Sequence, residues 1–419
     1  MSEYNKLFRK NYRNLYNYVY DSGDISFADK PFNELDALVM GVLSYLPFET
    51  VLSKKEPFQP IPLRDLIITY LGSLNVDVMG AYYPDFTFKH IVLCLHLLTA
   101  KRYIHTKVIG FGCKTSEAER MQFAALGMLL DDDTLAVSYR GTDNTFVGWK
   151  ENLDMAFVPF VPGEGLATGF LKDIMDEYPD KKVRIFGHSK GGNFAVYAAS
   201  SVPPRYQDRI LSIYSLDGLA ICSEMKESDA HKRIEDRIIH FITEQSVIGM
   251  LLDHEKPTAV IRAHPDNEVF NQHDIYNWEV SMTEDKLVRS TWQPMGRYFA
   301  NSLNDWFKTI KDVTDLEALL SAMIATCERL GLSTPDDGFA QGAKVIQNVM
   351  SMPLPRDQKR KVNNALLSLL GSLNSHRPQL RKEQQEQERK KRLAEAEAKK
   401  KQRLIDQLAA KMDADIRRK

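Results

Sequence analysis

The sequence predicts an α/β protein, a mostly parallel sheet covered by helices, with a helical region and a charged tail behind it. Three observations lead there. Between Met121 and Val280 short apolar runs alternate with helix-forming stretches, the pattern of parallel strands joined by crossover helices. One run, Val183 to Phe186, passes through a Gly-x-Ser-x-Gly turn directly into a helix-forming segment. After about Thr291 the β-prone runs stop and the apolar spacing becomes helical.

In chain order, the first 30 residues are rich in Tyr and Asn with little periodicity, whereas Phe32 to Phe48 spaces its apolar groups like a buried capping helix. Asp65 to Asn75 and Thr87 to Leu98 repeat apolar residues three and four apart, as helices packed on a core do. Gln122 to Leu130 and Thr134 to Tyr139 flank Asp131, Asp132 and Asp133, a turn composition, and read as a hairpin or two adjacent strands. Helix is expected over Phe170 to Glu177 and Gly192 to Ser200. Strand is expected over Val183 to Phe186, Ile213 to Leu216, Ile238 to Thr243 and Thr258 to Arg262. Leu316 to Leu330, Gly338 to Met350 and Lys361 to Leu373 are helical in period, broken at Pro335 and Pro353. The expected division is an α/β domain over 1–290, a helical region over 291–375 and a charged helical or disordered tail over 376–419.

Of the 419 residues 43% are apolar and 26% charged, which excludes disorder as the main state. The longest apolar stretches, Ala37 to Phe48 and Ile91 to Ala100, fall short of the roughly 18 to 20 residues that span a bilayer. The opening MSEYNKLFRKNYRNL has neither the apolar core nor the cleavage site of a secretory signal, so a cytoplasmic location is expected. Cys94, Cys113, Cys222 and Cys327 stand far apart with no CxxC pair; they point to buried free thiols and away from disulfides or a cysteine zinc site. The net charge of −1 conceals a division: Arg377 to Lys419 holds 15 basic and 8 acidic residues, a balance of +7, leaving −8 on the preceding 376. That tail offers little to bury beyond a stripe of Leu404, Ile405, Leu408, Met412 and Ile416. It suits a solvated helix or, through its Lys and Arg, contact with a membrane surface. The lack of interleaved aromatic residues argues against nucleic acid.

The chemistry concentrates in VRIFGHSKGGNFAVYAA, Val183 to Ala199. An apolar strand enters Gly187-His188-Ser189-Lys190-Gly191 and leaves as helix, which is what a nucleophile elbow requires. The serine sits on a strained turn, Gly187 and Gly191 remove clashes, and helix-terminal N–H groups face developing negative charge. A second signal precedes it, a strand ending in Tyr139-Arg140-Gly141-Thr142-Asp143. In an α/β-hydrolase one oxyanion-hole N–H comes from such a loop and one from the residue after the nucleophile, here Thr142 and Lys190. Read alone, the same loop is a Gly-Thr turn with Arg140 in a surface ion pair.

Tyr-Arg-Gly-Thr-Asp, Gly148-Trp149, Gly169-Phe170-Leu171 and Gly-His-Ser-x-Gly-Gly together resemble the class 3 lipase group of α/β-hydrolases. They are closer still to a bacterial family of lipase-like proteins of unknown function, which is similar through Phe32 to Leu46, SYRGTDNTFVGWKENLDMAF, the elbow and Gln272-His273-Asp274. The resemblance covers roughly Phe27 to Val280. It implies a serine esterase mechanism with Ser189, an oxyanion donor at Thr142 and a histidine late in the fold.

A triad in this fold runs Ser, acid, His along the chain. Six histidines follow Ser189, namely His231, His240, His254, His264, His273 and His376; a loop after the last strand leaves His264 and His273, and spacing from the strand together with the family resemblance favours His273. For the acid, Asp217 follows the strand ending at Leu216 and precedes Gly218, so it ranks first. Glu244 ends the next strand and is the alternative, although Gln245 after it departs from the usual acid position. His188 is expected to point away from Ser189 and pack. Lys190 either favours an anionic substrate or lies in solvent. The expected activity is cleavage of a carboxylic ester or thioester, of a small molecule or a lipid, through an acyl-Ser189 intermediate with no metal or cofactor. The alternative is a catalytically inactive hydrolase-fold protein that binds a ligand or serves as a scaffold.

Overall fold

The computed structural model describes residues 12–52, 59–74, 84–143, 145–252, 254, 256–264, 269–332 and 342–417. Eight strands form one sheet in sequential order: β1 (Ile61–Pro62), β2 (Lys107–Ser116), β3 (Met121–Leu129), β4 (Leu135–Tyr139), β5 (Val183–His188), β6 (Ile210–Leu216), β7 (Ile238–Thr243) and β8 (Ala259–Ile261). The pairings from β1 to β4 are antiparallel, and those from β4 to β8 are parallel. The aspartate-rich turn between β3 and β4 is the expected hairpin, with Asp133 at positive φ. Strand β2 was not foreseen: its outer half, from Cys113, is exposed, so Lys107 to Ser116 lacks a continuous apolar run.

Two helical layers sandwich the sheet. Helices α1 (Leu15–Ser22), α2 (Glu34–Leu43), α3 (Leu63–Ser73) and α4 (Pro84–Leu97) cover one face. On the other lie α6 (Pro162–Glu177) and α7 (Lys190–Ser201), and α5 (Phe146–Asp154) precedes them in the chain. The alternation along β4 shows why both faces close: Ala136 joins the core under α1 to α4, while Leu135, Val137 and Tyr139 join the opposite one. The buried helix expected over Phe32 to Phe48 is α2, capped by Asn33, followed by a short turn at Phe48–Thr50.

Behind the sheet, α8 (Pro294–Thr309), α9 (Val313–Arg329), α10 (Gly342–Ser351) and α11 (Arg356–Arg417) share a third core around Trp306, Leu319, Val345 and Val362. Trp306 Nε1 donates to the carbonyl of Ala365 at 3.1 Å. Pro335 and the start of the helix expected from Gly338 lie outside the described residues, as do 1–11 and Asn75. Helix α11 runs unbroken past 376 and through Pro378. From 384 to 403 every side chain is exposed, with Lys390–Glu386 and Arg392–Glu388 pairs one turn apart. In the apolar stripe Ile405 is exposed; the side chains of Leu404, Leu408, Met412 and Ile416 lie outside the described ones. Among the described residues no helix is long and apolar enough to cross a membrane. Cys94 and Cys327 are buried, but Cys113 is exposed on the outer half of β2 and Cys222 is half-buried, so the expectation of four buried thiols holds for two.

The layer over the first face is locked by a buried ion pair. Arg102 and Asp36, both wholly buried side chains, meet at 2.6 and 2.7 Å. Asp36 also accepts from Tyr18 and Tyr103 hydroxyls, and Arg102 donates to the carbonyls of Ile25, Ser26, Lys30 and Pro31. Every polar atom of the pair thus has a partner, which is what a buried charge requires. Removing one partner orphans the other. Arg102→Met is therefore expected to lower stability by about 3–5 kcal/mol, whereas Lys101→Met, breaking an exposed pair with Asp24, should change it by less than about 1 kcal/mol. Equilibrium urea denaturation of both variants checks this, and similar small shifts would contradict it.

Candidate active site

Ser189 joins β5 to α7 at φ 58° and ψ −130°, a strained region for a residue with a β-carbon. Two glycines make the turn possible. A Cβ on Gly187 would sit 1.8 Å from the carbonyl oxygen of Gly191, and one on Gly191 would sit 2.2 Å from that of Tyr139. The backbone of Ser189 is also held on both sides: its N–H donates to Leu216 at 3.1 Å, and its carbonyl accepts from Leu219 at 3.3 Å. The elbow is therefore braced against the end of β6.

Asp217 is the first residue after β6. It has φ 48°, and its buried side chain reaches two neighbours. Oδ1 accepts from the Ser246 hydroxyl at 2.5 Å, and Oδ2 lies 2.6 Å from Nδ1 of His273. With a carboxylate as acceptor, Nδ1 carries the proton and Nε2 is left as the basic nitrogen. His273 ends a short turn, Phe270–His273, and its side chain is 23% exposed, so the imidazole is reachable from solvent while the Asp217 carboxylate is not.

The loop that carries His273 is tied down around it. His188, the residue before Ser189, donates from Nε2 to the carbonyl of His273 at 2.8 Å and accepts at Nδ1 from the Tyr45 hydroxyl, also at 2.8 Å. Burial holds the His188 pKa down at about 3, so the ring is neutral and suited to this donor–acceptor role. Next along, Asp274 pairs with Lys89 at 2.5 Å. Burial alone would raise the Asp274 carboxyl, but Lys89 and the N–H of Tyr276 hold it below its ordinary value.

The Arg-Gly-Thr loop lies against the elbow. A Cβ on Gly141 would fall 3.1 Å from Cβ of Ser189 and 2.5 Å from the His188 carbonyl oxygen. Among the described residues the N–H of Thr142 meets no acceptor, and the N–H of Lys190 opens α7, where no intrahelical acceptor exists. The Thr142 hydroxyl is engaged with the Asn152 amide at 2.8 Å. Arg140 is not in a surface ion pair: it is buried and donates to Glu49 and to the carbonyls of Ser44 and Leu46, which fastens the loop to the end of α2.

The structure brings Ser189, Asp217, His273, Thr142 and Lys190 to one edge of the sheet and leaves the other candidates elsewhere. Glu244 accepts from the Ser290 hydroxyl. His264 is buried edge-on to Tyr12. Lys190 departs from both readings of its charge, because its side chain is wholly buried and bonded to Glu151 and Gln122. Sequence reasoning missed Ser246, Tyr45, Gln122 and Glu151 as contacts of the site: Tyr45 and Glu151 lie in segments that carry the family resemblance, and Ser246 and Gln122 stand in no motif. Among the described residues no group of His, Cys, Asp and Glu is arranged to hold a metal ion.

A sheet turning parallel from β4, with a Ser elbow after β5 and a His–Asp pair beyond it, defines a protein of the α/β-hydrolase fold. Residues 97–323 match the family model described as Mbeg1-like, more than half of the chain, and the chain belongs to that family. No curated protein matches it. Among solved structures it is similar to the Rhizomucor miehei lipase propeptide complex, at 16% identity and a TM-score of 0.31, over 48% of this chain and 66% of that one. It is also similar to lipase II from Rhizopus niveus, at 13% identity and a TM-score of 0.29, over 56% of this chain and 89% of that one.

A short imidazole–carboxylate hydrogen bond shifts its proton far downfield in NMR spectra. The Nδ1 proton of His273 is expected to give such a signal, which Asp217→Asn should abolish and Glu244→Gln should leave in place. Loss in the Glu244 variant alone would contradict the geometry.

Proposed function

We propose that this protein is a serine hydrolase that cleaves a carboxylic ester or thioester. The observation that carries this reading is the 2.6 Å contact of His273 Nδ1 with Asp217 Oδ2 beside a strained serine elbow. A neutral imidazole with Nδ1 occupied by a carboxylate has only Nε2 free to take a proton, which is the role of a general base.

In the reaction, Oγ of Ser189 attacks the acyl carbon as His273 Nε2 takes the hydroxyl proton. The carbonyl π electrons move to oxygen, and the oxyanion is held by the N–H groups of Thr142 and Lys190. Collapse breaks the acyl–oxygen or acyl–sulfur bond, and the imidazolium returns the proton to the leaving alcohol or thiol. Water, deprotonated by the same Nε2, then attacks the acyl-Ser189 carbonyl and releases the acid. Asp217 stays ionised throughout, orienting the ring and stabilising its protonated form.

One observation favours a second reading, a hydrolase-fold protein that binds without turnover: among the described residues the Ser189 hydroxyl has no hydrogen-bond partner. Catalytic contacts often tighten only with substrate bound, so the test is chemical. A fluorophosphonate is expected to label the native protein and not Ser189→Ala. With a short chromogenic ester, His273→Ala should lower kcat by about 10³-fold or more and Asp217→Asn by at least about 10²-fold, with circular dichroism unchanged. Glu244→Gln should be nearly silent. Folded native protein that neither takes the label nor turns over esters would leave the binding reading.

A further inference from the structure

The residue after the nucleophile carries a long cation that the proposed reaction does not use. Lys190 Nζ is wholly buried and has three acceptors: the carbonyl of Gln122 at 2.7 Å, Oε1 of Gln122 at 2.8 Å and Oε2 of Glu151 at 2.6 Å. Those partners hold other parts of the site. Oε1 of Gln122 also accepts the N–H of Asp143 at 3.3 Å, one residue past Thr142. Oε2 of Glu151 also accepts the N–H of Gln122 at 3.0 Å, and Oε1 accepts the N–H of Gly163 at the start of α6 at 3.2 Å. There is no slack around the joint: a Cβ on Gly148 of α5 would meet Gln122 Oε1 at 3.0 Å and Thr142 Cγ2 at 2.8 Å.

Such a pair is costly to bury, and apolar replacements often stabilise a fold as well. Its placement gives it a second use. The two N–H groups that would hold an oxyanion come from segments nearly fifty residues apart, and one of them belongs to Lys190 itself. The Lys190 side chain bonds the Gln122 amide, and that amide bonds the backbone beside the other donor.

We propose that Lys190 is a positioning residue for the oxyanion hole, its buried ammonium fixing the Thr142 and Lys190 N–H donors at one separation through Gln122 and Glu151. This rests on the reading of the site as a serine hydrolase. The ammonium itself touches no substrate. Its effect is on the transition state, in which the oxyanion exists, and not on the ground-state ester.

The variants are Lys190→Met, Lys190→Met with Glu151→Gln, which orphans no charge, and Gln122→Met, which keeps the ion pair and removes only the shared amide. For each, kcat and KM for p-nitrophenyl butyrate are measured per site titrated with a fluorophosphonate, together with the Ki of an alkyl trifluoromethyl ketone, whose adduct with Ser189 carries an oxyanion. Misplaced donors should lower kcat by about 10- to 100-fold, weaken the ketone by a similar factor and leave KM within about threefold. A purely structural role would lower the melting temperature or the titrated fraction and spare kcat per site and ketone affinity. That result in either the double variant or Gln122→Met overturns the proposal, even should Lys190→Met fail to fold. If native protein neither titrates nor turns over the ester, the hydrolase reading fails first and this inference with it.

Discussion

A residue with a β-carbon does not hold φ 58° and ψ −130° unaided, and at Ser189 the neighbouring chain holds it there from several directions. Strain of about 1–3 kcal/mol survives only where the surroundings over-determine the backbone. Leu216 takes the N–H, Leu219 supplies a donor to the carbonyl, Gly187 and Gly191 let the chain fold onto itself and onto Tyr139, and the side chain of Lys190 is anchored in the interior. The turn is thus shared among β4, β5 and β6. It cannot relax without moving all three, and this keeps the hydroxyl where the other site residues emerge.

Sheet register explains why they emerge together. Tyr139 pairs with Gly187, His188 with Leu216, and Leu216 with Phe241, so β4, β5 and β6 end within a residue of one level, while β7 runs two residues further. The next residues along three of these strands begin the Arg-Gly-Thr loop, the elbow and Asp217. Parallel strands gather loops in this way at their carboxyl edge. The antiparallel half of the sheet contributes differently: β3 supplies Gln122 at the same edge, past the end of β4, and its carbonyl and amide oxygens receive the ammonium of Lys190. One half of the sheet presents side chains outward, and the other braces them.

What the sequence reveals and what it conceals follow the same division. The strands of the parallel half, the elbow and the strand-end carboxylate of Asp217 can be read locally, because each depends on a few consecutive residues: an apolar run, a Gly-x-Ser-x-Gly turn, an Asp-Gly after a strand. His273 takes a family resemblance as well as its spacing from the last strand, since the residue types of Asn271 to Asp274 do not by themselves set it apart from other histidine-bearing loops. The ion pairs were opaque. Nothing in the sequence pairs Arg102 with Asp36, 66 residues away, and Lys190 reads as a cation for an anionic substrate or for solvent until Glu151 is placed beside it. Charged residues carry no sequence signal of burial, because what makes burial tolerable is a partner that only the fold supplies. Strand β2 was hidden for the opposite reason, its half-exposed outer residues leaving too short an apolar run.

The two carboxylates at strand ends illustrate how such choices are made. Glu244 has the longer reach and follows β7, yet its carboxylate takes the Ser290 hydroxyl while its carbonyl accepts from the Gln293 N–H at 2.7 Å. It is committed to the segment that leads into α8. Gln245 after it donates its N–H to Oε1 of Gln272 at 3.0 Å and accepts from the N–H of Gly296 at 3.1 Å. The end of β7 therefore steadies the residue before His273. Asp217, one strand nearer the elbow, has φ 48° and a short side chain with little freedom once Ser246 holds one oxygen. A Cβ on Gly249 would lie 2.2 Å from that oxygen, so the carboxylate has no room to turn away. The shorter carboxylate on the nearer strand meets the imidazole with fewer torsions to fix, and the farther strand is free to position the loop that carries His273.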